Sequence, residues 1–130
     1  MIYNHFDRVQ INTADPNVKP ALISNWAQHV EVSAILQCRG DFPEVSGVEF
    51  LFDASGGRGL APNSWPQGMP RRCGYAGGLN PDNVAAAVAD IGTKASLYWI
   101  DMETGVRDDH DRFSIDKCQA VCEAVYGTPY

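Results

Sequence analysis

Gly74-Tyr75-Ala76-Gly77-Gly78-Leu79-Asn80-Pro81-Asp82-Asn83-Val84 is the stretch whose residue types and spacing point most directly to chemistry. It reads as a strand that breaks at two glycines and enters a helix capped by Asn80, with Pro81 in the first turn. Glycines let backbone N–H groups come close to an anion, and a helix start adds unpaired donors and the positive end of a dipole. That chemistry is phosphate binding. A plain left-handed turn explains the same glycines, and the residues alone weigh the two readings equally. Two aspartates close apolar runs in comparable places. Asp53 precedes Gly56-Gly57-Arg58-Gly59, and Asp101 precedes Thr104-Gly105. Taken alone, Asp53 is a turn residue that bonds the glycine loop after it, and Asp101 is a strand-end cap.

The elements that must position these residues alternate. Phe6 to Ile11, Val30 to Gln37, Val48 to Phe52, Cys73 to Ala76 and Ser96 to Met102 read as five strands, the second and third apolar enough for a sheet buried on both faces. Asp15 as N-cap and Pro16 as first helical residue predict a helix to about His29, with Val18, Leu22 and Trp26 on one face. Val84, Val88 and Ile91 form the buried stripe of the helix after Gly78. Ser114 caps a last helix whose Ile115, Cys118, Cys122 and Val125 face inward. Gly40 to Glu44 allows only a short or irregular crossover, and Gly59 to Pro70 is a Gly/Pro loop around Trp65. Strands alternating with helical stretches imply parallel βα units curled into a barrel-like sheet.

Composition narrows the partners. The 130 residues are 45% hydrophobic, enough for one domain, and fall short of the roughly 200 to 250 residues of a complete (β/α)8 barrel. A net charge of −6 without a Lys/Arg cluster argues against nucleic acid and against an anionic membrane surface. No apolar run reaches the roughly 20 residues that cross a bilayer. The opening Met1 to Asp7 lacks a signal-peptide layout, so a cytoplasmic location is expected. Cys38, Cys73, Cys118 and Cys122 show neither zinc spacing nor disulfide density, and are expected as reduced thiols, the last two buried beside Val121 and Val125. Asp108-Asp109-His110-Asp111 lacks the glycine and distal glutamate of a calcium loop, so no metal is expected. His5 and His29 have no recognisable nucleophile partner, and Trp26, Trp65 and Trp99 read as core or pocket walls.

Three segments together resemble phosphoribosylanthranilate isomerases. The stretch from Ala76 to Val84 is similar to the AGGLNPxNV signature that follows that family's seventh barrel strand. Leu51-Phe52-Asp53-Ala54-Ser55-Gly56-Gly57-Arg58-Gly59, followed by Trp65, is similar to its sixth strand and the Gly-Gly-x-Gly loop after it. Asp101-Met102-Glu103-Thr104-Gly105-Val106-Arg107 is similar to its eighth-strand DxSSGVE segment. By the same alignment Val9 to Asn12 resembles the fourth strand and Val32 to Gln37 the fifth. The resemblance covers nearly the whole chain, and three motifs in order are far more specific than one glycine pattern. It implies an α/β fold in which residues 1–130 form a single partial (β/α)8 barrel domain of the ribulose-phosphate-binding type, with about five parallel strands.

The resemblance also implies a reaction. The family converts an N-linked phosphoribosyl anthranilate into its 1-deoxyribulose form by an Amadori rearrangement in tryptophan biosynthesis, without a cofactor. A general acid protonates the ring oxygen as the furanose opens, and a general base removes the C2′ proton. Asp53 matches the acid. That role asks for a raised pKa, which desolvation by the surrounding apolar run would supply. Asp101 matches an aspartate that contacts substrate. Backbone groups of Gly57, Gly59, Gly77, Gly78, Thr104 and Gly105 match the loop and phosphate positions, the last four most closely. The family's base, a first-strand cysteine, has no counterpart here, and Cys38 beside Arg39 is the one thiol near the expected mouth. Arg58, Glu103 and Arg107 depart from the family's residues, the arginines adding positive charge near the anion. The expected partner is a phosphorylated small molecule. A missing base and open strand edges imply a complementing N-terminal half-barrel or a homodimer. The alternatives are a noncatalytic sugar-phosphate-binding or interaction module, and a truncated remnant.

Overall fold

The computed structural model describes residues 2–13 and 15–128. Met1, which opens the stretch read for a signal peptide, and the last two residues of the expected domain lie outside them. Five strands run as β1 (Arg8–Ile11), β2 (Ser33–Cys38), β3 (Glu49–Asp53), β4 (Cys73–Ala76) and β5 (Tyr98–Asp101). All neighbours are parallel, and the strand order follows the chain order from β1 to β5. A doubly wound sheet reverses its order part-way, whereas a barrel keeps winding in one direction. The fold is a partial α/β barrel: a five-stranded half-barrel with three helices.

The register separates two faces. Val9, Ala34, Leu36, Phe50, Phe52, Cys73 and Tyr75 join the main apolar cluster on the convex side, and Ile35, Leu51 and Ala76 form a smaller cluster with Trp99 on the concave side. The concave side also carries charge. Arg8 and Arg72 hold the two oxygens of Glu49 at 2.7 and 2.8 Å, and the Arg8 guanidinium lies 4.2 Å from the centre of the Trp99 ring. Arg8 belongs to the first strand and Trp99 to the last, so their contact shows how far the sheet has curled. Gly74 makes room for it, because a side chain there would strike the Trp99 ring and Leu51.

Helix α1 (Pro20–His29) links β1 to β2, α2 (Val84–Gly92) links β4 to β5, and α3 (Ile115–Tyr126) follows β5. The two crossovers between them have no helix. Rings take its place on the convex face: Tyr75, fully buried, meets Phe42, Phe52, Trp65 and Tyr98 edge-on at centroid distances of 5.3 to 6.4 Å. Such edge-to-face pairs add to the burial of large apolar areas. The Tyr75 hydroxyl donates to the Pro66 carbonyl at 3.1 Å, which ties the long β3–β4 loop to the sheet.

Several boundaries differ from expectation. Asp15 does not cap a helix. Its carboxylate accepts from the Asn17 N–H at 2.9 Å in a local turn, and α1 starts at Pro20, where proline suits a first helical position. That later start rotates Leu22 outward, 64% exposed, while Ser24 and Ala27 are buried. The second strand starts later than Val30 because Val30 ends α1 and Glu31 takes a left-handed φ of 58°. In α3 Val121 is buried, and Cys118 and Val125 pack half-buried against the same cluster as expected, whereas Ile115 and Cys122 are exposed. The stripe of α2 is as expected, Val84 and Ile91 being fully buried. Ser114 caps α3 by accepting from the Lys117 N–H at 3.3 Å. Ser114→Ala is expected to cost about 1 kcal/mol in a urea melt, the usual loss for an N-cap oxygen.

Candidate functional site

The C-terminal ends of the strands open on one concave mouth, a cavity of about 320 Å³. The topology explains why distant residues meet there. Asp53, Ala76 and Asp101 are register partners at the tips of β3, β4 and β5, and all three face the concave side. The loops leaving those tips then bend over the opening. Asp53, Gly57, Gly59, Gly77, Gly78, Asp101, Thr104 and Gly105 all border the cavity.

Asp53 is 6% exposed and fully engaged. One carboxylate oxygen accepts from the Ser55 N–H at 3.0 Å and the Ser55 hydroxyl at 2.7 Å, and the other accepts from the Gly57 N–H at 2.7 Å. The bonding of a turn residue to its glycine loop is therefore present, and it fixes the carboxyl at the cavity wall. Asp101 stands opposite in a different state. Desolvation first, then the charges of Glu103 and Asp53, push its carboxyl above the ordinary value of 3.8, against a smaller downward pull from the Met102 backbone. A carboxyl that holds its proton more tightly when folded loses stability as pH rises above 3.8, because the unfolded chain releases that proton first. Asp101→Asn should raise Tm at pH 7 by a few degrees, and the gain should fade as pH falls toward 4. A thermal melt at both pH values checks the sign.

The glycine pair forms the third side. Gly77 and Gly78 have φ of 127° and 60°, values that side chains rarely tolerate, and a Cβ on either would press on the backbone of Leu60 or Ala61. Asn80 and Asn83 then lock the turn into α2. The Asn80 oxygen accepts from the Asp82 and Asn83 N–H groups at 2.8 and 3.2 Å, and the Asn83 oxygen accepts from the Asn80 N–H at 2.8 Å. Asn83 also donates to the Gly78 carbonyl at 2.8 Å, which ties the glycine turn to the start of α2. Gly105, in the 3-10 turn Thr104–Val106, packs directly on the Leu79 carbonyl, where no side chain fits. Thr104 and Gly105 thereby lie beside Gly77 and Gly78.

The chain is similar to a phosphoribosylanthranilate isomerase. One such protein is the N-(5'-phosphoribosyl)anthranilate isomerase of Pseudomonas fluorescens, 36% identical over an alignment of 90 residues that covers 65% of this chain and 40% of the relative. The chain thus spans about two fifths of that protein's length. No protein-family profile matches the chain. No solved structure matches it either.

Cys38 and Arg58 do not border the mouth. Cys38 packs with the convex cluster, its thiol directed to the Gly40 carbonyl at 3.8 Å. Burial, with smaller contributions from Cys73 and Asp41, pushes that thiol up to about 12, so it is not a thiolate at neutral pH. Arg58 lies on the outer side of its loop, donating to the Ser55 carbonyl at 2.9 Å. Arg107 is held by Glu103 at 3.2 Å and by Asp111, and partly offsets the charge of Glu103, itself at the cavity rim. Among the described residues no group of three or more His, Cys, Asp or Glu is placed to hold a metal, and no helix is long and apolar enough to cross a membrane.

Four residues were not singled out from the sequence. Gln10, Asn12 and Gln37 add amides to the mouth from β1 and β2, and buried Ser55 supplies two of the bonds to Asp53. The first two were detectable, since Arg8, Gln10 and Asn12 alternate with Val9 and Ile11, the polar period of a strand with one apolar face. Ser55 carries no such signal.

Proposed function

We propose that the chain is an isomerase-like half-barrel whose mouth takes the phosphate of a phosphoribosyl aromatic amine, in the cytoplasm. The observation that carries this reading is the convergence of Asp53, the Gly77-Gly78 turn and Thr104-Gly105 on one cavity, in a chain similar to a named isomerase. Backbone N–H groups of the two glycine turns cradle the phosphate oxygens, as donors fixed before the ligand arrives. Asp53 is placed as the general acid toward the furanose oxygen as the ring opens. Gln10, Asn12 and Gln37 face the sugar hydroxyls.

The proton on C2′ needs a base, and no cysteine borders the cavity. A complementing half-barrel supplies it, docking on the free edges of β1 and β5. The same observation favours a second reading, a noncatalytic sugar-phosphate-binding module. The fluorescence decay of phosphoribosylanthranilate with the chain mixed with an N-terminal half-barrel that carries the base separates them. Turnover supports the isomerase. A Tm that rises with a ribulose-phosphate analogue, without turnover, supports the binding module. Neither effect sinks both.

A further inference from the structure

Below the mouth, the concave side of the sheet carries a charged layer that the proposed reaction does not use. Its level follows from the register. Arg8 pairs with Ser33, and two residues on, Ile35 pairs with Glu49; two residues further, Leu51 pairs with Gly74, which pairs with Trp99. Inward residues therefore climb two positions for every two strands, the slope of an eight-stranded barrel with a shear of eight. Arg8, Glu49 and Trp99, from β1, β3 and β5, stand at one level. In such a barrel a layer takes its side chains from alternate strands, usually four of them. The fourth corner, opposite Glu49 and beside Arg8 and Trp99, falls to the middle one of the three strands that these five leave to a partner.

Charge around that corner does not balance. Arg8 and Arg72 share Glu49, so two positive groups meet one negative group. The Arg8 guanidinium is fixed by Glu49 at its Nε and by the Trp99 ring 4.2 Å from its centre, yet its Nη2 is buried without a hydrogen-bond partner among the described residues. A buried donor left unpaired bears the full cost of its desolvation. The outer surface is uncovered at the same two edges. Among the described residues, six of the seven exposed large apolar side chains flank them: Phe6 and Leu22 around β1, and Leu97, Phe113, Ile115 and Tyr126 around β5 and α3. We infer that the half-barrel completing this sheet carries a carboxylate on the inward face of its middle strand, which accepts from Arg8 Nη2 and closes the layer as two pairs of opposite charge. The inference rests on the complementing half-barrel proposed above and names the chemistry by which this chain selects it. An aspartate or glutamate at that corner is matched, whereas an apolar residue leaves Arg8 unpaired.

The probe is the first three βα units of a phosphoribosylanthranilate isomerase, coexpressed with the whole chain in two forms, with aspartate or with leucine at the inward middle-strand position of this layer. The aspartate form should bind at least about tenfold more tightly, the scale of a close charge pair across an interface. Arg8→Met should abolish that preference. It leaves Glu49 paired with Arg72, so the melt of the free chain should change little. The exchange of aspartate for leucine lies in the partner, and its effect does not depend on how any variant of this chain folds. Equal affinity of the two forms, or an Arg8→Met chain that still prefers aspartate, overturns the inference and leaves the half-barrel reading standing. Failure of both forms to bind overturns the two together.

Discussion

Asp53→Asn is expected to lower kcat/KM for phosphoribosylanthranilate by about a hundredfold or more in the complex with a complementing half-barrel that the proposed isomerase reading requires, with the fold intact. A positioned general acid contributes about 10² to 10⁴ in rate, and asparagine has no proton to give the ring oxygen. The structure makes the substitution a clean test of chemistry. Asparagine keeps an oxygen for the Ser55 donors, while its amide would face the Gly57 N–H in place of the second oxygen, 2.7 Å away in the wild type. That clash costs one hydrogen bond, about 1 kcal/mol, which a thermal melt registers apart from the rate. A rate unchanged within a few-fold would remove Asp53 from the mechanism. A fall in rate matched by a collapse of the melt would assign it to loop structure instead.

Gly105→Ala should be the most damaging single methyl in the chain. The added Cβ would land on the Leu79 carbonyl oxygen and crowd Asn80, both backbone-anchored parts of the turn that leads into α2. Neither neighbour is the flexible end of a side chain, so the two glycine turns must separate. Overpacking of this kind costs about 1 to 3 kcal/mol, and occasionally more. It also pulls Thr104-Gly105 away from Gly77-Gly78, so affinity for ribose 5-phosphate should fall at least about tenfold even where the protein stays folded. Gly57→Ala is the contrast. It has a strained φ of 87° but open space around its Cβ position, and it should affect stability with less effect on phosphate affinity.

The strands that bring these residues together were legible because β2 and β3 read as nearly continuous apolar runs and β1 as alternating apolar and polar residues. Cys73–Ala76 was located to the residue, and the other four to within a few positions. The helix starts depended on chemistry that the sequence shares between turns and caps. Asn80 and Ser114 do accept from the N–H groups of helix-opening turns, whereas Asp15 spends its carboxylate on a turn of its own and leaves Lys19 at the start of α1 without a side-chain cap. Inward faces were misjudged in α3 because its apolar residues are spread around the axis, and only packing against α2 and Val106 selects Val121 over Ile115.

The mouth was legible for a different reason. Its residues sit at strand ends and in glycine turns, where spacing survives as motif. What could not be read was direction. Arg58 and Cys38 lie within a few residues of mouth positions along the chain, yet one faces outward from its loop and the other belongs to the convex register of β2. Nor does sequence reveal that Arg8 and Arg72 share Glu49 inside the concave face, an arrangement made by three separate strands or strand ends.

The most direct test of the account is a ¹H–¹⁵N titration of the chain with ribose 5-phosphate. The account predicts that the amides of Gly77, Gly78, Thr104 and Gly105 shift together and saturate with one affinity, because their N–H groups meet one phosphate at one cavity. Saturating shifts confined to other parts of the chain, or no saturable shift at these four, would contradict it.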